Sequence, residues 1–93
     1  MIRFEVEPSL IKQYKLSIGD FNGNELDSYY KNFLMIAKSD LLTDNIDRKV
    51  LDTDLGKALT ILYAECLMNK QDIATNPTIS LLRNKLAIMT QED

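Results

Sequence analysis

Apolar residues recur along this chain at helical spacing, most clearly from Asp52 to Lys70. At about 3.6 residues per turn, Leu55, Leu59, Leu62, Tyr63, Cys66 and Leu67 share one broad stripe, with Ala58 at its margin. Such a stripe belongs against a core. Ile61 and Met68, seven residues apart, fall outside it, so this helix is apolar on a second side as well.

Three further helices follow from the same reading. Pro8 suits a first helical turn because its missing N–H has no intrahelical partner there. Leu10, Ile11 and Tyr14 give that short helix an apolar face, and it should end near Lys15 or Leu16. Ser17 to Asn24, with Gly19 and Gly23, reads as a loop. Asn24 is a good N-cap, and Glu25 and Asp27 suit a first turn. The second helix should run from there to about Thr43. Its face is Leu26, Tyr29, Tyr30, Phe33, Ala37 and Leu41, with Leu34 and Ile36 at the edges and Met35 and Leu42 opposite.

Asp44 to Thr53 is an acidic connector in which Val50 and Leu51 suit one strand-like contact, and Thr53 or Asp52 can cap the central helix. Asn69 to Asn76 is a second connector, with Ile73 turned inward. Asn76-Pro77 pairs an N-cap side chain with proline at the first helical position. The last helix then carries Ile79, Leu82, Leu86 and Met89 on one face and Leu81 and Ile88 on the other, and Gln91 to Asp93 should fray. Near the start, Ile2, Phe4 and Val6 alternate with Arg3, Glu5 and Glu7, the pattern of a short extended arm. The expectation is an all-α fold: one domain over residues 1–93, a small bundle of about four helices, the first short and three longer.

Composition narrows the function classes. A 45% hydrophobic content is too high for a disordered chain of 93 residues. The net charge is -3, with no run of Lys and Arg, which argues against a basic nucleic-acid-binding face. No apolar run approaches the roughly 20 residues of a membrane span, and the Met1-Ile2-Arg3-Phe4-Glu5 start lacks a signal-peptide pattern. A single cysteine cannot form an internal disulfide. The lack of histidine removes the commonest general base and most zinc, copper and iron sites.

Candidate chemistry is sparse. Asp20, Asn22 and Asn24 occupy the first, third and fifth places of a calcium-loop pattern, but glycine falls at the fourth place and Lys31 stands where a bidentate glutamate is required. An Asx-rich turn accounts for the stretch better. Asp44, Asp47, Asp52 and Asp54 share no helical face and match no ligand motif, as in a solvated loop. Cys66 lies within the apolar stripe, as a small buried hydrophobe would. Glu65, the one carboxylate in the middle of the central helix, is a candidate for an ion pair with Arg83 across a subunit boundary, or for a plain surface position. The chain reads as neither an enzyme nor a cofactor binder.

Three pairs stand out instead. Met35/Leu42, Ile61/Met68 and Leu81/Ile88 each lie two turns apart, away from the main stripe of their helix. Single apolar residues on a surface are ordinary, but three helices repeating the arrangement point to subunit contacts. Burying one such side chain is worth roughly 1.5–3 kcal/mol, and six give on the order of 10 kcal/mol, against an association cost of about 4–15 kcal/mol. A closed ring does better than a dimer, because the last copy joins through two interfaces. On this reading Ile61→Asp leaves the monomer folded and blocks assembly.

The order of elements resembles the head–tail connector family of tailed phages, the small head-completion or DNA-packaging adaptors. The likeness rests on Pro8-Ser-Leu-Ile-Lys-Gln-Tyr-Lys-Leu, the acidic turn from Asp20 to Asp27, and the Tyr29-Tyr30-Lys-Asn-Phe helix. It continues through Ala58-Leu-Thr-Ile-Leu-Tyr-Ala-Glu, Asn69-Lys-Gln and Ser80-Leu-Leu-Arg-Asn-Lys-Leu, and covers about residues 8 to 89. The middle connector departs from the family, since it leaves little room for the β-hairpin that many members hold there. The resemblance implies a virion component at the head–tail junction, present in the host cytoplasm during assembly. It implies a ring of twelve copies between the portal protein and the next neck or head-closure protein, with double-stranded DNA passing through the lumen without sequence-specific binding. Asp44, Asp47, Asp52 and Asp54 are then candidates for a channel wall or rim that repels phosphates, and the two chain ends for docking segments. A small acidic inhibitor or immunity protein that binds one protein partner fits the composition equally well.

Overall fold

The computed structural model of the chain describes residues 8–21, 23–43 and 46–91. The anticipated N-terminal arm (Ile2, Phe4, Val6), Asp44 and the last two residues lie outside the described residues. Within them, every element is helical: α1 Pro8–Ile18, α2 Asp27–Thr43, α3 Arg48–Leu51, α4 Asp54–Met68 and α5 Pro77–Gln91. This is the all-α bundle of one short and three longer helices, with one additional helical turn. The central helix, α4, packs against all four others and most extensively against α2.

Local chemistry sets the boundaries. α1 ends in a Schellman arrangement: Gly19 N–H donates to the Leu16 carbonyl at 3.3 Å, and Asp20 N–H to the Lys15 carbonyl at 2.9 Å. Gly19 takes the required left-handed conformation, at φ 78°. α1 therefore runs two residues past the anticipated end. α4 closes the same way, with Lys70 N–H on Leu67 and Gln71 N–H on Cys66. There the left-handed residue is Lys70, at φ 57°. Thr53 caps α4, its Oγ1 accepting from Gly56 N–H at 3.2 Å. Asn76 caps α5, its Oδ1 accepting from Thr78 and Ile79 N–H at 3.0 and 3.1 Å.

Two local expectations are corrected. Asn24 is not the N-cap of α2. Its carbonyl closes a turn onto Asp27 N–H, and the first i to i+4 bond runs from Tyr30 N–H to the Leu26 carbonyl. The Asn24 side chain instead accepts from Lys15 Nζ, which also meets Asp27 Oδ1 at 2.9 Å and so clamps the loop onto α1. Val50 and Leu51 make no strand-like contact either. They sit in α3, capped by Asp47 through Lys49 N–H, and are buried at 5% and 2% exposure.

The buried face of α4 is rotated from the anticipated stripe. Leu59, Tyr63 and Cys66 are buried as expected, but Gly56, Thr60 and Ala64 join them, while Leu55, Leu62 and Leu67 are only partly covered and Ala58 is exposed. The small residues, four apart, let neighbouring backbone approach closely: a Cβ on Gly56 would meet the Leu51 Cα and the Val50 and Leu51 carbonyl oxygens at 2.5 Å. Thr60 satisfies its buried hydroxyl by donating to the Gly56 carbonyl at 2.8 Å. On α2 the core side is Tyr30, Leu34, Ala37 and Leu41, so Leu34 is central rather than marginal. Ile73 turns inward and is partly buried against the core.

Three tyrosines tie the helices together. Tyr14 on α1 has no exposed surface, lies 5.4 Å from the Tyr30 ring and donates to Met68 Sδ at 3.4 Å. Tyr30 donates to Asp20 at 2.6 Å and Tyr63 to Asp40 at 2.9 Å. All three phenols are pushed up to about 12: Tyr14 by burial and then the Glu65 charge, Tyr30 by its bond to Asp20, Tyr63 by burial and its bond to Asp40. Ionisation in the unfolded chain occurs near the ordinary value of about 10. The contribution of the neutral phenols to stability is therefore complete below about pH 10 and is lost as pH rises through about 12. Denaturant midpoints are expected to fall across that interval, with most tyrosinate absorbance appearing only as the chain unfolds. Full ionisation near pH 10 with an unchanged midpoint would contradict these contacts.

Candidate functional site: two exposed apolar faces

The six residues marked for subunit contact divide into two groups. Leu81 and Ile88 on α5 are exposed, at 55% and 56%. Met35, Leu42, Ile61 and Met68 are partly buried and pack against the core, and Met68 accepts the Tyr14 hydroxyl. These four were read as facing away from the bundle. The correction has a simple cause: α4 is surrounded by other helices and α2 packs on both α1 and α4, so each needs apolar residues on more than one side. Ile61→Asp is accordingly expected to lower stability by about 1–3 kcal/mol, because it places a charge against the core. Leu81→Asp should change it by no more than about 0.5 kcal/mol, as at an ordinary surface position. Thermal melts of the two variants check the contrast.

A second apolar face was read as core and is not. Leu26, Tyr29 and Ile36 are exposed at 50%, 49% and 49%. With Phe33, whose ring meets that of Tyr29 edge-on at 4.9 Å, they form a stripe at alternating three- and four-residue spacing along α2 and the turn before it. The spacing itself was legible. What was missed is that α2 carries two adjacent stripes, and the one through Tyr30, Leu34, Ala37 and Leu41 takes the core. Beside the exposed stripe lies a shallow hollow of about 280 Å³, lined by Met35, Ile36, Ser39 and Asp40.

α2 and α5 each pack on α4 and have little or no contact with each other. Their charges differ too. α5 contains Arg83 and Lys85 and no carboxylate, in a chain of net charge -3. The α2 face is bordered by the exposed carboxylates of Glu25 and Asp40.

The candidate acidic residues have structural roles. Asp47 caps α3. Asp52 ends α3 and lies 3.8 Å from Lys38 Nζ. Asp54 stands in the first turn of α4, where a negative charge suits the helix dipole. All three are exposed. Glu65 is half-buried and close enough to Tyr14 to raise its pKa, whereas Arg83 lines an open groove with Ile46, Ser80, Asn84 and Ala87. No Glu65–Arg83 ion pair forms within the chain among the described residues.

Cys66 is buried and accepts a weak contact from Asn76 Nδ2 at 3.5 Å. The Asp20 carboxylate is engaged by the Tyr30 hydroxyl. No group of three or more Asp, Glu or Cys side chains among the described residues is placed to hold a metal ion, and no helix among them is long and apolar enough to cross a membrane.

Magnitudes bear on what these faces can do. A half-exposed side chain has about half its burial left to gain, on the order of 1 kcal/mol each. Leu81 and Ile88 against Leu26, Tyr29 and Ile36 then offer about 5 kcal/mol, near the low end of the 4–15 kcal/mol that association costs. One such contact is marginal; contacts that close a ring reinforce one another. No family model, curated protein or solved structure matches the chain.

Proposed function

We propose that this protein is a structural assembly subunit: an α-helical adaptor whose copies join into a ring between a phage portal and the next neck component, with the genome passing through the lumen. The observation that carries the reading is the pair of exposed apolar faces on α2 and α5, two helices that each pack on α4 and hardly touch each other. A subunit with two different contact surfaces joins head to tail, and head-to-tail contacts close into rings when the rotation permits. The sequence resemblance to head–tail connectors supplies the portal, the neck partner and the copy number of twelve.

Asp47, Asp52 and Asp54 supply exposed negative charge for a lumen wall or rim, even though each also serves a helix end. Negative walls let phosphates slide past rather than adhere. Electron microscopy of concentrated protein, alone and with a phage portal protein, tests the reading. Rings in either sample support it. Particles that stay monomeric with a portal and saturate one-to-one with a single enzyme favour the inhibitor reading instead.

A further inference from the structure

We propose that the hollow on the outer face of α2, lined by Met35, Ile36, Ser39 and Asp40, receives the Leu81–Lys85–Ile88 edge of α5 from a second copy of this chain. The inference rests on the ring reading and specifies which two surfaces meet.

Leu81, Lys85 and Ile88 follow one another at four- and three-residue spacing, so two apolar side chains flank one ammonium on the same exposed edge. Lys85 is exposed and makes no ion pair among the described residues. The hollow presents the complement: apolar walls from Met35 and Ile36, and the Asp40 carboxylate at the rim. Asp40 uses Oδ2 to accept from Tyr63 at 2.9 Å, and a carboxylate has room for further donors on its other oxygen. Charge complementarity also selects the occupant. An acidic chain repels its own copies on average, and an α5 that carries cations and no carboxylate offsets that repulsion where its Lys85 meets the Asp40 carboxylate of another copy.

Disulfide trapping tests the pairing. Ile36→Cys and Leu81→Cys are made as separate proteins; both sites are exposed, and the native Cys66 is buried. Mild oxidation of the mixture is expected to give a crosslinked dimer containing one copy of each variant, with little product from either variant alone. Charge variants provide a second readout: Lys85→Glu or Asp40→Lys should raise the concentration needed for assembly roughly tenfold, and the two variants mixed should recover much of the loss. Thermal melts of each variant separate lost assembly from lost folding, and the crosslink does not depend on Asp40.

Assembly of the wild type without the mixed crosslink would overturn this pairing and leave the ring reading standing. A crosslink from Ile36→Cys alone would place α2 against α2 and also overturn it. A wild type that stays monomeric at high micromolar concentration and with a phage portal protein, together with no crosslink from the mixed variants, would overturn both.

Discussion

Gly56→Ala is expected to destabilise the fold by about 3 kcal/mol, in the direction opposite to the usual effect of this substitution. In an exposed helix interior, alanine is favoured over glycine by roughly 1 kcal/mol, because glycine loses more backbone freedom on folding. Here the added methyl has no space. It would lie 2.5 Å from the Leu51 Cα and from the carbonyl oxygens of Val50 and Leu51. Those are backbone atoms, and no rotamer change moves them aside. α3 must lift from α4, exposing Val50 and Leu51, which are buried at 5% and 2%. Overpacking of this kind typically costs about 1–3 kcal/mol, and more when backbone must shift. For a domain of this size the melting temperature should fall by on the order of 15 °C. A melt equal to or above that of the wild type would show that α3 does not seat on α4 in this way.

Tyr14→Ala should cost about 3–5 kcal/mol, whereas Tyr14→Phe should cost only about 1 kcal/mol. The ring has no exposed surface and joins α1 to both α2 and α4, through Tyr30 and Met68. Truncation to alanine removes the larger of the two buried side chains that α1 sets into the bundle, the other being Leu10. Phenylalanine keeps the packing and gives up only a weak bond to sulfur. Urea denaturation of the two variants separates ring packing from the hydroxyl. Comparable losses in both would mean that the hydroxyl, not the ring, secures α1.

How far the residues announced this structure varied with the kind of signal. Two helix starts were legible: Asn76-Pro77 begins α5 and Thr53 caps α4, because each acts within a few residues of chain. The Asn24 cap and the end of α1 were not, because the Lys15 clamp and the Schellman turn at Gly19 set them. Periodicity located the long helices but not their orientation. α2 carries two neighbouring apolar stripes, and only its packing on α4 decides that Leu34 is central while Tyr29 and Ile36 remain outside. α4 has apolar or small residues around most of its circumference, so the rotation that buries Gly56, Thr60 and Ala64 depends on where α3 and α1 dock.

Lys70 gave no sign of a helix end, since a lysine at φ 57° is held there by the Schellman bonds around it. α3 was hidden in an acidic connector too short for a helical period to show. For the candidate site, Leu81 and Ile88 were identified from spacing alone, and their exposure agrees with that reading. The other four of the six are partly buried against the core, and the α2 half of the site emerges only when burial separates its two stripes.

If further copies cover the apolar surface that one copy leaves exposed, assembly depends on concentration. Native mass spectrometry of the unmodified protein across a concentration series tests this most directly. Monomer at low concentration is expected to give way to one large closed species, with little accumulation of dimer because a single contact is marginal. Monomer alone throughout the series, whether or not a phage portal protein is added, would contradict it.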